Sequence, residues 1–149
     1  MWRLLWSFDA TPLLLSGLFY AVFSRLWFTY IPWFKNYHGA FSEKFMQPKA
    51  KVRSAVIRFL AGCLMGVLVG LMSRVLQLGS LEAFLKLGLF ISLGIVAVSL
   101  VQYVDGSSRR RNEILPETLF QLIAMEGICT IWAGWVLRER LLASATGWW

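Results

Sequence analysis

One histidine, two cysteines and eight acidic residues are all that this 149-residue chain offers of the side chains that most often do chemistry. Each scarcity closes a class of function. His38 with Cys63 and Cys129 is too few and too scattered for a metal site. Both cysteines fall inside apolar runs, where they read as buried thiols behaving as small hydrophobes and not as a disulfide. No Ser/His/Asp set, phosphate-cradling glycine loop or haem-ligating intramembrane histidine is present. His38 itself, in "KNYHGAF", reads as a loop or interface residue and not as a general base. The second apolar run opens as "VRSAVIRFLAG", with arginines but no asparagine. It therefore lacks the Arg- and Asn-rich motif of four-helix membrane enzymes that handle glutathione and lipid mediators. The expectation is a protein that is not an enzyme and takes no cofactor.

Charge is scarce as well, at 15% against the ~25% usual for soluble domains. What replaces it is hydrocarbon: 58% of the residues are apolar, and the bilayer is the natural solvent for such a chain. A net charge of +7 suggests nucleic acid in a polar protein. Here the basic residues lie between the hydrophobic runs, as topology signals and contacts to anionic lipid. The early Arg3 and the apolar run after it resemble a signal peptide. Without a clear small-residue cleavage site, the run reads as a retained first span.

Four runs approach the ~20 residues that a membrane helix needs: 12–34, 55–76, 84–104 and 116–137. The fold class is all-α, a single domain forming an antiparallel bundle of transmembrane helices. Pro12 and Pro116 are expected at helix starts, where a missing N–H does no harm. The short turn 78–83 makes an antiparallel hairpin of spans two and three. Gly62, Gly66 and Gly70, at four-residue spacing on span two, let another backbone approach closely. Gly88 and Gly94, with Ser92 and Ser99 on span three, are the expected partners; contact with another copy or subunit is the alternative.

Loop charges orient the bundle. Lys35, Lys44, Lys49, Lys51 and Arg53 in one loop, and Arg109, Arg110 and Arg111 in another, lie on one side. Arg3, Arg74, Lys86, Arg138 and Arg140, offset by Asp9, Glu82 and Glu139, lie on the other. Positive-inside logic puts both termini outside and the basic loops in the cytoplasm or mitochondrial matrix. Trp33, Trp135, Trp148 and Trp149 read as interfacial anchors. Arg58 and Arg74, near opposite ends of span two, read as side chains snorkelling to lipid phosphates.

Two charges remain inside spans, Arg25 in "YAVFSRLWFTY" and Glu126 in "LFQLIAMEGICTIWAGW". At 1.5 Å per residue Arg25 stands about 13 Å, and Glu126 about 15 Å, from the same membrane face. Each shares its helical stripe with small or polar residues: Gly17, Ala21 and Thr29 for Arg25, and Cys129, Thr130, Ala133 and Gly134 for Glu126. The leading expectation is a buried Arg25–Glu126 ion pair clamping the first span to the last, helped by Ser24, Thr130 or Gln121. A proton-handling Glu126, a pair made with another subunit, and snorkelling of Arg25 are the alternatives.

The order of features also resembles a known family. "GLFYAVFSRLWFTYI" carries Tyr20, Phe23 and Trp27 near the start of the first span. A polar segment, a small-residue span, "KLGLFISLGIVAVSLVQYV" and the closing "LPETLFQLIAMEGICTIWAGW" follow. Over most of residues 12–137 the chain resembles the small four-helix membrane family known as domain of unknown function 1761, with Ala21-Val22 where that family has Ser-Pro. The resemblance implies a four-helix integral membrane protein and no particular activity. The functional expectation is a non-catalytic structural or accessory subunit of a larger membrane assembly, in a mitochondrial or bacterial inner membrane. Its partners would be neighbouring membrane subunits and anionic lipid headgroups. The alternative is a small transporter or ion- or proton-conducting protein that uses Glu126.

Overall fold

The computed structural model describes residues 9–30, 48–105 and 108–145. These form four helices: α1 (Ala10–Tyr30), α2 (Pro48–Val75), α3 (Leu81–Asp105) and α4 (Ser108–Ala145). Each is long and apolar enough to span a membrane, and there is no strand among the described residues. The protein is an all-helical, four-span integral membrane bundle. Large apolar side chains such as Leu64, Phe90 and Val101 point outward on its surface, as a lipid environment requires.

The helices alternate in direction, but they do not pack as a ring. α1 packs on α2, α3 packs on α4, and α4 also touches α1 and α2. The core follows from this arrangement. Phe120, Ala124, Met125, Ile128, Cys129, Trp132 and Ala133 are all buried along α4, a stripe wide enough to serve neighbours on several sides. Phe120 is enclosed by Tyr20, Phe23 and Phe28 of α1, with ring centroids 5.1, 5.5 and 5.3 Å away. Such aromatic pairs add about 0.5–1.5 kcal/mol each beyond the area they bury.

Spans two and three are joined by a short turn, as expected, but the close packing expected between their glycines is overturned. The α2 glycine stripe faces α1: a Cβ on Gly62 would stand 2.6 Å from the Tyr20 Cβ and 2.7 Å from the Ser16 carbonyl. Gly66 meets Ser16 and the Trp132 indole, and Gly70 is buried. Gly88 of α3 lies against Glu126 of α4, whereas a Cβ on Gly94 would meet nothing within 4 Å. The short turn joins α2 to α3 without pressing them together. It is closed by a Schellman-type end, with Leu78 N donating to Ser73 O at 2.8 Å and Gln77 N to Arg74 O at 3.3 Å. Gln77 takes the left-handed position at φ 51°, which glycine would occupy without strain. Ser80 then caps α3, its hydroxyl accepting from Ala83 N at 3.3 Å.

Pro116 does not open its helix as expected. α4 begins at Ser108 and runs through the proline, which removes one hydrogen bond to the carbonyl of residue 112. Both cysteines are free thiols, and Cys63 Sγ donates to Leu13 O at 3.5 Å across the α1–α2 contact.

The glycine contacts give a graded test. Gly17→Ala and Gly62→Ala drive a methyl into the backbone and ring atoms of the facing helix, so each is expected to destabilise by about 1–3 kcal/mol. Gly94→Ala and Gly134→Ala enter open space and gain helix propensity, so they are expected to be neutral or slightly stabilising. Reversible unfolding in mixed detergent micelles measures all four. Equal losses at every glycine would contradict the α1–α2 contact described here.

Candidate functional site

Glu126 is the natural starting point, because a carboxylate this deep in a span is costly by at least about 2.5–3.5 kcal/mol on insertion scales. It projects from α4 toward α3, where a Cβ on Gly88 would lie 2.8 Å from its Oε2. The absence of a side chain on Gly88 makes room for the carboxylate. No ion pair or side-chain hydrogen bond of Glu126 is found among the described residues. Its helical neighbour Thr130 donates to the Glu126 main-chain carbonyl at 2.8 Å, not to the carboxylate.

Arg25 is not brought to it. Arg25 is exposed on α1, and the α1–α4 register explains the separation. The Phe19 ring covers Gly127, and Asp9 meets Trp135, so Glu126 is level with about residue 18 of α1. Arg25 stands about seven residues, or ~10 Å, further along the bundle. The expected helpers are engaged elsewhere. Ser24 donates to Ala21 O at 2.9 Å, and Gln121 Nε2 donates to the Tyr20 hydroxyl at 2.8 Å.

That Tyr20–Gln121 bond marks a second polar level, toward the ends of the helices joined by the basic segments. Tyr20 is 2% exposed, and its hydroxyl lies within electrostatic reach of Arg58 and Glu117. Arg58 was expected to snorkel to lipid. It is instead 4% exposed and within electrostatic reach of the Tyr20 hydroxyl of α1. A buried guanidinium is tolerated where its donors find acceptors, and Arg58 does have interaction partners. Beside this group α3 and α4 part to leave a cavity of about 440 Å³, with Glu117 and Gln121 on the α4 wall and Ile91, Gly94 and Ile95 on the α3 wall.

A third polar level lies at the opposite end. Trp135 Nε1 is shared between two carboxylates, donating to Asp9 Oδ2 at 3.1 Å and to Glu139 Oε1 at 3.0 Å. Arg138 stacks over the Trp135 ring at 5.2 Å, and Arg140 Nη1 donates to Gly79 O at 3.1 Å. Arg74 and these carboxylates line a smaller cavity of about 240 Å³. Trp135 thus ties the start of α1 to the end of α4, beyond the anchoring role expected of it. Arg74 sits among carboxylates as well as near the membrane edge.

Trp33, Trp148, Trp149, His38 and the side chains of Arg109, Arg110 and Arg111 lie outside the described residues. Sequence reasoning missed Arg58 as a buried group, Tyr20 as its neighbour, and the Asp9–Trp135–Glu139 cluster. Spacing held part of the signal: Glu117 with Gln121, and Trp135 with Glu139, stand one turn apart on one helix face. No family model matches the chain, and no curated protein or solved structure is similar to it.

Double-mutant cycles distinguish the two pairs. Tyr20→Phe with Gln121→Leu is expected to show a coupling of about 0.6–1 kcal/mol, the size of a membrane-buried hydrogen bond. Arg25→Gln with Glu126→Gln is expected to be additive within about 0.5 kcal/mol. A larger Arg25–Glu126 coupling would restore the clamp.

Proposed function

We propose that the protein is a non-catalytic accessory subunit of a larger membrane assembly, and that α3 is the helix it offers to its neighbours. One observation carries this reading: among the described helices α3 packs chiefly on α4, while the other three form a mutually supporting group. Its outward face, with Leu89, Phe90, Leu93, Val101 and Val104, is apolar along its length. Packing on α4 holds one face of α3, and a partner helix on the outward face would add van der Waals packing there. In this reading the basic segments face the cytoplasm or matrix and the termini face outward, in a bacterial or mitochondrial inner membrane, with anionic headgroups at the basic loops. The resemblance to the family of domain of unknown function 1761 is compatible with this reading and adds no activity to it.

A photo-reactive amino acid replacing Phe90, irradiated in native membranes, is expected to give one discrete protein adduct. The same group replacing Leu64, an exposed residue of α2, is expected to label lipid. Lipid labelling from both positions, with a lone chain on native mass spectrometry, would contradict the subunit reading.

Glu126 favours a second reading. An intramembrane carboxylate with no counter-ion among the described residues is a starting point for ion or proton transfer. If the protein conducts, vesicles containing it will show a proton or cation flux that Glu126→Gln abolishes. A flux no different from empty vesicles leaves the accessory role in place and removes this one.

A further inference from the structure

α4 turns one face away from the other helices, and that face is poorly suited to lipid. Leu119, Ile123, Thr130, Gly134 and Leu137 are exposed along it, and Glu126 lies half-buried in the same helical row. Leucine and isoleucine belong against acyl chains. A carboxylate, a hydroxyl and a glycine at successive four-residue steps are instead the kinds of group by which membrane helices meet. Glu126 stands ~13 Å along the helix from Trp135 and ~18 Å from Ile114, which puts it near mid-membrane. A charge at that depth is held where an opposite charge meets it.

The cations of the described helices are placed elsewhere. Arg25 stands ~10 Å further along the bundle. Lys86, close to Gly88 in the sequence, is paired with Glu82 at 2.6 Å on the exposed side of α3. Arg58 and Arg74 belong to the polar levels at the two ends. The rest of the row is open to an approach from outside. A Cβ on Gly134 would meet nothing within 4 Å, so a second backbone can come close there. Thr130 Oγ1 donates to the Glu126 main-chain carbonyl at 2.8 Å, which leaves it lone pairs with which to accept. What complements this row brings a donor and positive charge. A lipid ammonium stays at the membrane edge, about 15 Å from the bilayer middle. A second copy docking by the same row would set Glu126 against Glu126.

We infer that the outer row of α4 is a docking surface for a transmembrane helix of a different protein, one that carries a lysine or arginine at mid-membrane and pairs it with Glu126. Gly134 and Thr130 admit its backbone, and each charge offsets the cost of the other. The inference rests on the subunit reading and adds to it a second surface, distinct from the outward face of α3.

The test reconstitutes the whole chain, carrying a fluorescent donor, in choline phospholipid vesicles with acceptor-labelled synthetic helices. These are leucine–alanine spans of about 20 residues with lysine, leucine or glutamate at the centre. Energy transfer reads association. The wild-type protein is expected to bind the lysine helix about tenfold more tightly than the leucine helix. Glu126→Gln is expected to bring that ratio close to one. Glu126→Lys is expected to reverse the preference toward the glutamate helix, which a merely structural Glu126 would not do. Gly134→Leu, which fills the open space, is expected to weaken binding of the lysine helix without lowering thermal stability. Equal binding of lysine and leucine helices by the wild type would overturn the proposal and leave Glu126 to proton or ion chemistry. A lysine preference that survives Glu126→Gln, or wild-type chains that associate with each other through this row and separate on Gly134→Leu, would overturn it as well. A protein adduct at Phe90 with no lysine preference here would sink this docking and leave the subunit reading intact. A lysine preference without that adduct supports the docking and removes only the α3 contact.

Discussion

Everything else in the bundle hangs on the broad buried stripe of α4. From Phe120 to Ala133 that stripe alternates large and small side chains, and α1, α2 and α3 each bury a face against it. In a bilayer the exclusion of water gives no net reason for two apolar helices to meet, because lipid is as good a neighbour as leucine. What holds them is close packing and the few hydrogen bonds hidden from lipid. α4 supplies both. Its small residues admit its neighbours, and Gln121 and Trp135 bond to α1 at two separate heights.

The same helix carries polar groups at three depths. Asp9, Trp135 and Glu139 join at one end, Glu126 sits in the middle against Gly88, and Tyr20, Gln121, Arg58 and Glu117 gather toward the other end. The first and last of these levels are shared between helices and satisfied largely within the protein. The middle one has no side-chain hydrogen bond or ion pair among the described residues, and the residue facing it is a glycine. That contrast explains why Glu126 remains the group to watch for proton or ion chemistry, while the end clusters read as fasteners.

Hydropathy located the spans well and their neighbours poorly, for a physical reason. An apolar run fixes where a helix sits along the membrane normal, to about one turn. It says little about which side of that helix faces which partner. The Gly62, Gly66 and Gly70 stripe was legible as a close-contact surface, since nothing but a nearby backbone needs it. That α1 and not α3 would fill it was not legible, because a short loop brings two helix ends together without obliging their lengths to pack. Arg25 and Glu126 fell at similar estimated depths because each was measured from its own span end. The α1–α4 register set by Phe19 against Gly127 and Asp9 against Trp135 carries Arg25 past its supposed partner. Arg58 was unreadable as a buried group, since an arginine near a span end satisfies the snorkelling rule whether it turns out to lipid or inward to Tyr20.

The central claim is that α4 is the common neighbour and that α2 and α3 do not pack on each other. Solid-state NMR of the isotopically labelled chain in bilayers reads this without altering a side chain. The account predicts through-space cross-peaks between Gly88 and Glu126, Gly66 and Trp132, Phe19 and Gly127, and Gly62 and Tyr20. Cross-peaks joining Gly62, Gly66 or Gly70 to Gly88 or Gly94, with the α4 contacts missing, would contradict it.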